Sequence, residues 1–522
     1  MQFQRWLRFP LRQVSAPGFS LLLFATLGLV GILNHEMWRD EMNTWLIVRD
    51  SASLGEMLSY VNYQGHPALW ALLVSFVHAI ADTPIVMQVL HWCLGTSAIA
   101  IFWHYSQFTR LQKIFFTFGY LPFYEYLLIS RPYVLGMLCL FLFCALYPSR
   151  KRSYLGLALT LGLMANSHAF AAIISLAGFL TLSLEFCLDR EQRSHYFSKA
   201  HSYDWVLSLI ILTACYLFAF VILNPPIDSA NAGGQAGWNF TFDLRHLMRV
   251  LGRLLGGYSL IIPASSRWLD LVVGNVIGIS IFLLTAVKLM RNRTPFLFYI
   301  FATGGLLSFF YFRFMGGGAR HYGYLYLILI AALWLSQQHA KADWVMSDQL
   351  KLRGRSFSIS KVYQSIFLIT LLFHLGGGLY RFPLDLLVPL SAGYDAAHYI
   401  RDSQLETEFI VASPDKNMAA LSGYLNRQLY YPELQGLGSF TIFQQGRRII
   451  VNQNDILNQV HGLLPTIESC RILLVLNQTL DATHPALAVA PLAEFERSWH
   501  SGERMYLYWV TPVEASDGCP LE

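Results

Sequence analysis

Charge is what this sequence has least of. Asp, Glu, Lys and Arg make up 13% of its 522 residues, against 55% hydrophobic residues and a mean hydropathy of +0.42. A soluble chain carries about a quarter charged residues, so the deficit excludes an ordinary water-soluble globule and points to lipid as solvent. No small-residue cleavage site follows the first apolar run, Phe19–Leu33, which comes after Arg5, Arg8 and Arg12. That run is expected to remain as a first transmembrane helix rather than leave as a signal peptide. There is no CxxC, no zinc-type Cys/His cluster and no nucleotide-binding glycine fingerprint. Dithiol redox chemistry, a zinc finger and a nucleotide site therefore have no motif to rest on. Basic residues flank apolar runs instead of forming a stripe, which sets nucleic acid aside.

What is present is a succession of apolar runs. A crossing needs about 20 apolar residues, somewhat fewer when flanking side chains snorkel. Spans are expected at 18–33, 84–104, 114–129, 132–147, 154–166, 169–187, 205–223, 268–288, 295–312, 322–337 and 362–380. The expected fold class is thus an all-α polytopic membrane domain of about eleven transmembrane helices plus membrane-apposed helices, covering 1–380. A smaller soluble α/β domain, 381–522, follows. It contains 9 Lys/Arg against 16 Asp/Glu, a balance of −7 that leaves +12 for residues 1–380. Within it, strands are expected at Glu408–Ala412, Arg471–Leu476 and Arg504–Val510, with helices at Lys416–Asn426 and Ile456–Ser469.

The loops alternate in character. One set is basic: the N-terminus, Arg110/Lys113, Arg150-Lys151-Arg152, 188–204, Lys288/Arg291/Arg293 and 338–361. By the positive-inside rule these face the cytoplasm. The other set, 34–83, the Arg131 and 166–168 corners, 224–267, 313–321 and the C-terminal domain, then faces outward. Pro67–Ala81 is apolar but short, and counting it as a span would put Arg150-Lys151-Arg152 outside. It is read as a helix half-buried at the outer leaflet, with a short tilted span as the alternative. Cys93, Cys139, Cys144, Cys187 and Cys215 lie in or beside apolar runs as packing residues; Cys470 and Cys519 could pair if their domain is extracytoplasmic.

Polar residues near membrane depth are expensive, so each is a candidate for function. The outward set collects Trp38-Arg39-Asp40-Glu41, Gly65-His66-Pro67, Glu125, Ser130-Arg131-Pro132-Tyr133, Asn166-Ser167-His168 and Gly316-Gly317-Gly318-Ala319-Arg320-His321-Tyr322. A partly desolvated carboxylate can take a proton from an acceptor hydroxyl, and guanidinium groups can neutralise a phosphate leaving group. Such a set suits sugar transfer from a lipid phosphate. Each member also has a plainer reading: Asp40 as an interfacial acid, Glu125 as a partner of Arg131, Arg131 as a snorkelling cation, His168 as a core histidine, Arg320 as part of a turn. Arg245, Arg249 and Arg253 share one helix face and read first as headgroup anchors, second as contacts to a donor phosphate.

Taken together, these motifs resemble the GT-C membrane glycosyltransferases, in particular the protein-mannosyltransferase-like branch that includes lipid A aminoarabinose transferases. Asp40-Glu41 looks like that family's acidic pair, and His66-Pro67 like its His-Pro pair, although Ala68 stands where a second proline is frequent. Tyr124-Glu125-Tyr126, Ser130–Tyr133, Asn166–Phe170 and Arg320-His321-Tyr322 are similar to patterns in bacterial members. The resemblance implies an inverting glycosyltransferase of the bacterial inner membrane with a polyprenyl-phosphate-sugar donor and a glycan, lipid or protein acceptor. Asp40 would be the general base, with Glu41, His66, Glu125, Arg131, Tyr133, His168, Arg320 and His321 binding substrate. A divalent metal is used by some members and is left open. A flippase for lipid-linked saccharides and a polysaccharide polymerase or ligase are the competing readings.

Overall fold

The computed structural model describes residues 17–200, 203–229, 237–314, 317–338, 349–352, 355–445, 447–448 and 451–513. The N-terminal arginines, Gly316 and Cys519 lie outside them. Helix α1 (Pro17–Asn34) ends where Asn34 donates its side-chain amide to the Val30 carbonyl, 2.8 Å. After a 78° bend the chain enters α2 (Arg39–Asp50) and then α3 (Leu54–Asn62). Asp40 and Glu41 occupy the first turn of α2, where the helix dipole favours anions. Pro67–Ala81 contains α4 (Leu69–His78), whose 10 residues span about 15 Å. That is half of a hydrocarbon core.

The long helices are α5 (Ile85–Tyr105), α7 (Tyr133–Leu146), α9 (Ala169–Leu188), α11 (Asp204–Leu223), α13 (Trp268–Leu289), α14 (Arg293–Phe312) and α16 (Ile359–Leu387). Among the described residues these 7, with α7 continued to Lys151 by a 3₁₀ turn, are long and apolar enough to cross a membrane, or 8 if α1 and α2 count as one bent span. The other helices between them are α6 (Arg110–Thr117), α8 (Leu155–Ala165), α10 (Arg190–Lys199), α12 (Leu244–Ser259) and α15 (Ala319–Gln337). The chain is a multi-pass membrane protein.

One expected span is not a single helix. Residues 114–129 break after Thr117 into a π-helical turn, Tyr120–Glu125. Pro122 has no N–H for an α-helical ladder, and the backbone of Phe118–Tyr120 lies directly against Gly378 of α16, where a Cβ has no room. Helix α15 is the centre of the bundle: every residue from His321 to Leu335 is buried.

Beyond a two-stranded hairpin, β1 (Gln349–Leu352) and β2 (Arg355–Ser358), the C-terminal domain carries a six-stranded sheet. Its strands are β3 (Ile410–Ser413), β4 (Leu429–Tyr431), β5 (Gly436–Gly438), β6 (Ile472–Leu476), β7 (Leu487–Phe495) and β8 (Met505–Pro512). They are ordered β5-β4-β3-β6-β8-β7, with β3 parallel to β4 and β6 and the other pairs antiparallel. Alternation along the strands builds two cores. Ala412, Leu473 and Leu507 pack towards α17 (Gly393–Asp402) and α18 (Asp415–Leu425). Val411, Leu474 and Tyr508 pack towards α19 (Gln453–Leu463).

This domain sits on α2, the helix that follows the first bend. Helix α18 packs along α2, with Gly423 directly against Met42. Tyr424 Oη accepts from Met37 N at 2.7 Å, and Arg49 donates to Asn426 Oδ1 at 2.9 Å. Thr441 N donates to Asn43 Oδ1 (3.0 Å) while Gln64 Nε2 donates to the Thr441 carbonyl (3.0 Å). Of the cysteines, Cys93 and Cys187 are exposed rather than packed inside, Cys139 and Cys144 are buried, and Cys470 is disulfide-bonded.

Candidate active site at the domain junction

The bend between α1 and α2 is held from behind by a buried polar knot. His35 meets Asp385 of α16 at 2.7 Å and Glu41 at 3.0 Å, and Ser130 N donates to Glu41 at 2.5 Å. Glu41 is fully buried, so its charge is spent on fixing the chain. Its oxygens face His35 and the Ser130 amide, and it does not line the cavity beside Asp40.

Asp40, one residue earlier, points the other way. Its Oδ2 lies 3.1 Å from Arg131 Nη1 and 3.1 Å from Arg320 Nη2. Arg131 also donates to the Asp40 carbonyl (2.7 Å) and meets His66 Nε2 at 3.3 Å. Burial would raise the Asp40 carboxyl, but the Arg131 and Arg320 guanidiniums overcome it and hold the group below its ordinary range. Arg320 is braced over Trp38 at 5.3 Å, and its carbonyl accepts from Tyr126 at 2.7 Å. Three sequence-distant segments thus converge on one carboxylate.

The imidazoles gather round Tyr133. Its ring lies 6.3 Å from His66, 4.9 Å from His168 and 5.5 Å from His321. Burial, helped by the Arg131 charge, pushes His66 down to about 3, so it is a neutral ring at physiological pH. His66 Nδ1 is buried without a partner. His168 Nδ1 accepts from Ala171 N (3.3 Å) as the cap of α9, which leaves Nε2 as a donor, and that atom too has no partner. His321 Nδ1 accepts from Gly318 N at 3.0 Å. Glu125 stands apart from the acid–arginine pair. It takes a 2.6 Å hydrogen bond from Tyr120, while Arg131 turns to Asp40 instead of to Glu125.

A cavity of about 320 Å³ opens beside Asp40, lined by His66 and Arg131 from the membrane part and by Lys416, Thr441 and Phe443 from the C-terminal domain. A second groove of about 490 Å³ has Arg249 and Arg253 at its edge and Ile262, Pro263, Phe310 and Phe314 as apolar walls. Phe314 packs 5.1 Å from His321, which connects this groove to the imidazole cluster. Arg245 donates instead to the Ser265 carbonyl at 3.1 Å. Among the described residues no group of three His, Cys, Asp or Glu side chains is placed to hold a metal ion.

Sequence reasoning missed what the C-terminal domain brings here. His500 stacks on Trp38 at 4.7 Å, and Glu503, fully buried, reaches to 3.3 Å from Arg39 Nε. Burial pushes Glu503 up to about 8. No local pattern around Ser501–Glu503 announces a buried acid; only the pairing of β8 beside β6 brings it to α2.

No family model matches the chain, and no curated protein matches it either. Among solved structures, the crystal structure of ArnT from Cupriavidus metallidurans bound to undecaprenyl phosphate is similar over 97% of this chain and 100% of its own, at 13% identity and a TM-score of 0.53. A cryo-EM structure of the arabinofuranosyltransferase AftD from Mycobacteria has a TM-score of 0.36 at 13% identity, over 95% of this chain and 42% of its own. At such identities the first likeness speaks for the fold alone, and the second carries no argument. The chain has the GT-C-like membrane fold, seven or more apolar helices with a small C-terminal sheet domain.

Proposed function

We propose that the chain is a glycosyltransferase that moves a sugar from a polyprenyl-phosphate donor to an acceptor hydroxyl on the outer side of a bacterial inner membrane. The observation that carries this reading is the single carboxylate, Asp40, held 3.1 Å from each of two guanidiniums at the wall of a cavity. The GT-C-like fold shared with an undecaprenyl-phosphate-bound structure supports it. The disulfide at Cys470 agrees with an extracytoplasmic C-terminal domain.

In this reading the prenyl chain lies in the apolar groove beside Phe310 and Phe314, with Arg249 and Arg253 at the headgroup level. The donor phosphate draws Arg320 and Arg131 away from Asp40, and the freed carboxylate becomes a stronger base. Asp40 takes the proton of the acceptor hydroxyl as its oxygen attacks the anomeric carbon. The bond from that carbon to the phosphate oxygen breaks, the electron pair leaves with polyprenyl phosphate, and the configuration inverts. The guanidiniums meet the charge that develops on the leaving phosphate. His66, His168 and Tyr133 supply neutral hydrogen-bonding groups along the sugar's path.

The test is Asp40→Asn in folded, purified protein supplied with a defined lipid-linked sugar. General-base loss lowers transfer by roughly 10²–10⁴-fold. Undiminished transfer ends the assignment of Asp40.

A further inference from the structure

The cavity beside Asp40 belongs to two domains, and its charges do not balance. Arg39, Arg131 and Lys416 line it against one carboxylate, Asp40, which three guanidiniums already engage, Arg131 and Arg320 at 3.1 Å and Arg39 at 3.9 Å. Lys416 is exposed at the first turn of α18 and makes no ion pair among the described residues. Its neighbour Asp415 is buried and consumed by Arg447, so the acid that could neutralise the lysine is unavailable.

The walls also hold unmet hydrogen-bonding capacity. Among the described residues, Thr441 Oγ1, Trp70 Nε1, His66 Nδ1 and Arg131 Nε are buried behind the lining without a partner. Phe443 adds an aromatic wall. The backbone that presents Thr441 is fixed by hydrogen bonds to Asn43 and Gln64 of the membrane part, so the two halves of the cavity keep one geometry.

We propose that this cavity is the acceptor site, and that it selects an acceptor carrying a negative charge, phosphate or carboxylate, beside the reacting hydroxyl, with Lys416 as the anion's partner. The proposal rests on the glycosyltransferase reading for the word acceptor, but not for the binding itself. The C-terminal domain then sets specificity: its lysine and threonine hold the acceptor while Asp40, from the membrane part, activates it. Arg39, 3.9 Å from Asp40 and 3.3 Å from Glu503, adds to the same positive field.

The experiment titrates the full chain in lipid nanodiscs with glycerol 3-phosphate, glycerate and glycerol, reading the heat of binding by calorimetry. The two anions are expected to give a saturating heat and glycerol not. Lys416→Glu is expected to weaken both anions by about tenfold or more, Lys416→Arg to restore them, and Lys199→Glu, at the exposed end of α10, to leave them unchanged. Phosphate binding alone narrows the class to phosphate esters; glycerate binding alone narrows it to carboxylates. Equal binding by wild type and Lys416→Glu overturns the proposal, as does glycerol binding as well as the anions. The titration reads binding and not transfer, so the site stands or falls apart from the enzymatic reading, which the Asp40→Asn transfer assay tests.

Discussion

Two clusters in this protein use the same residue types and come to opposite states. At one end of the bundle Arg150 grips Glu185 with two nitrogens, at 2.9 and 3.2 Å. Tyr147 donates to the same carboxylate and Thr294 adds a contact at 3.3 Å, while Arg150 stacks on the Tyr147 ring at 3.7 Å. Gln192 caps the Arg150 carbonyl, and both charged side chains are less than a tenth exposed. Every strong hydrogen-bonding direction is answered. At the other end Asp40 is 29% exposed beside a cavity, and among the described residues four nearby nitrogens, Arg131 Nε, Arg320 Nε, His66 Nδ1 and His168 Nε2, are left without partners. A sated cluster ties helices together; an unsated one waits for a ligand.

That contrast can be broken experimentally. The largest effect is expected at Asp40: Asp40→Asn loses roughly 10²–10⁴-fold in transfer with the thermal midpoint unchanged. Glu185→Ala should do the reverse. It leaves Arg150 buried and alone, costs about 3–5 kcal/mol in detergent-solubilised thermal unfolding, and spares the turnover of whatever remains folded. If Glu185→Ala abolishes turnover in folded protein, the division between strut and site fails. Arg320→Lys keeps the charge but loses the planar fork, and an intermediate loss of about tenfold to a hundredfold in transfer is expected, seen mainly in kcat.

A subtler effect concerns pH. Glu503 holds its proton up to about 8 in the folded protein against an ordinary value of 4.5. The folded state therefore binds more protons than the unfolded one between these values, and stability should fall as pH rises through that window. Glu503→Gln should flatten this slope, measured by thermal unfolding from pH 5 to about 9. It should also remove a loss of activity as pH passes about 8 in the wild type, where the ionised acid competes for Arg39. A slope identical in the variant would assign the pH dependence elsewhere.

Much of this arrangement was readable from residues alone, for physical reasons that differ by element. The long apolar helices follow from hydropathy, and β3, α18, α19, β6 and β8 from periodicity, because burial on one or both faces writes itself into local pattern. Of the break after Thr117, Pro122 is the only local sign; the close approach of Gly378 from α16 leaves no trace within 114–129. In the site, Asp40, His66, Arg131, Tyr133 and Arg320 were all anticipated and stand within one connected cluster. Glu41 shows why such a list cannot be final: it neighbours Asp40 in sequence, yet helical rotation sends it to the opposite side, into His35. Lys416 and Glu503 were invisible because their relevance arises from the docking of α18 on α2, a long-range event that leaves no trace in nearby residues.

Helix α15 carries a consequence of its own. A helix that faces lipid can slide or tilt when bilayer thickness changes, but α15 is enclosed by protein along its whole apolar length, from His321 to Leu335. Arg320 begins this helix, so its depth is set by side-chain packing and not by hydrophobic matching. Short-chain and long-chain lipids should therefore leave the guanidinium at the same height above Asp40, and the protein should function in membranes of quite different thickness.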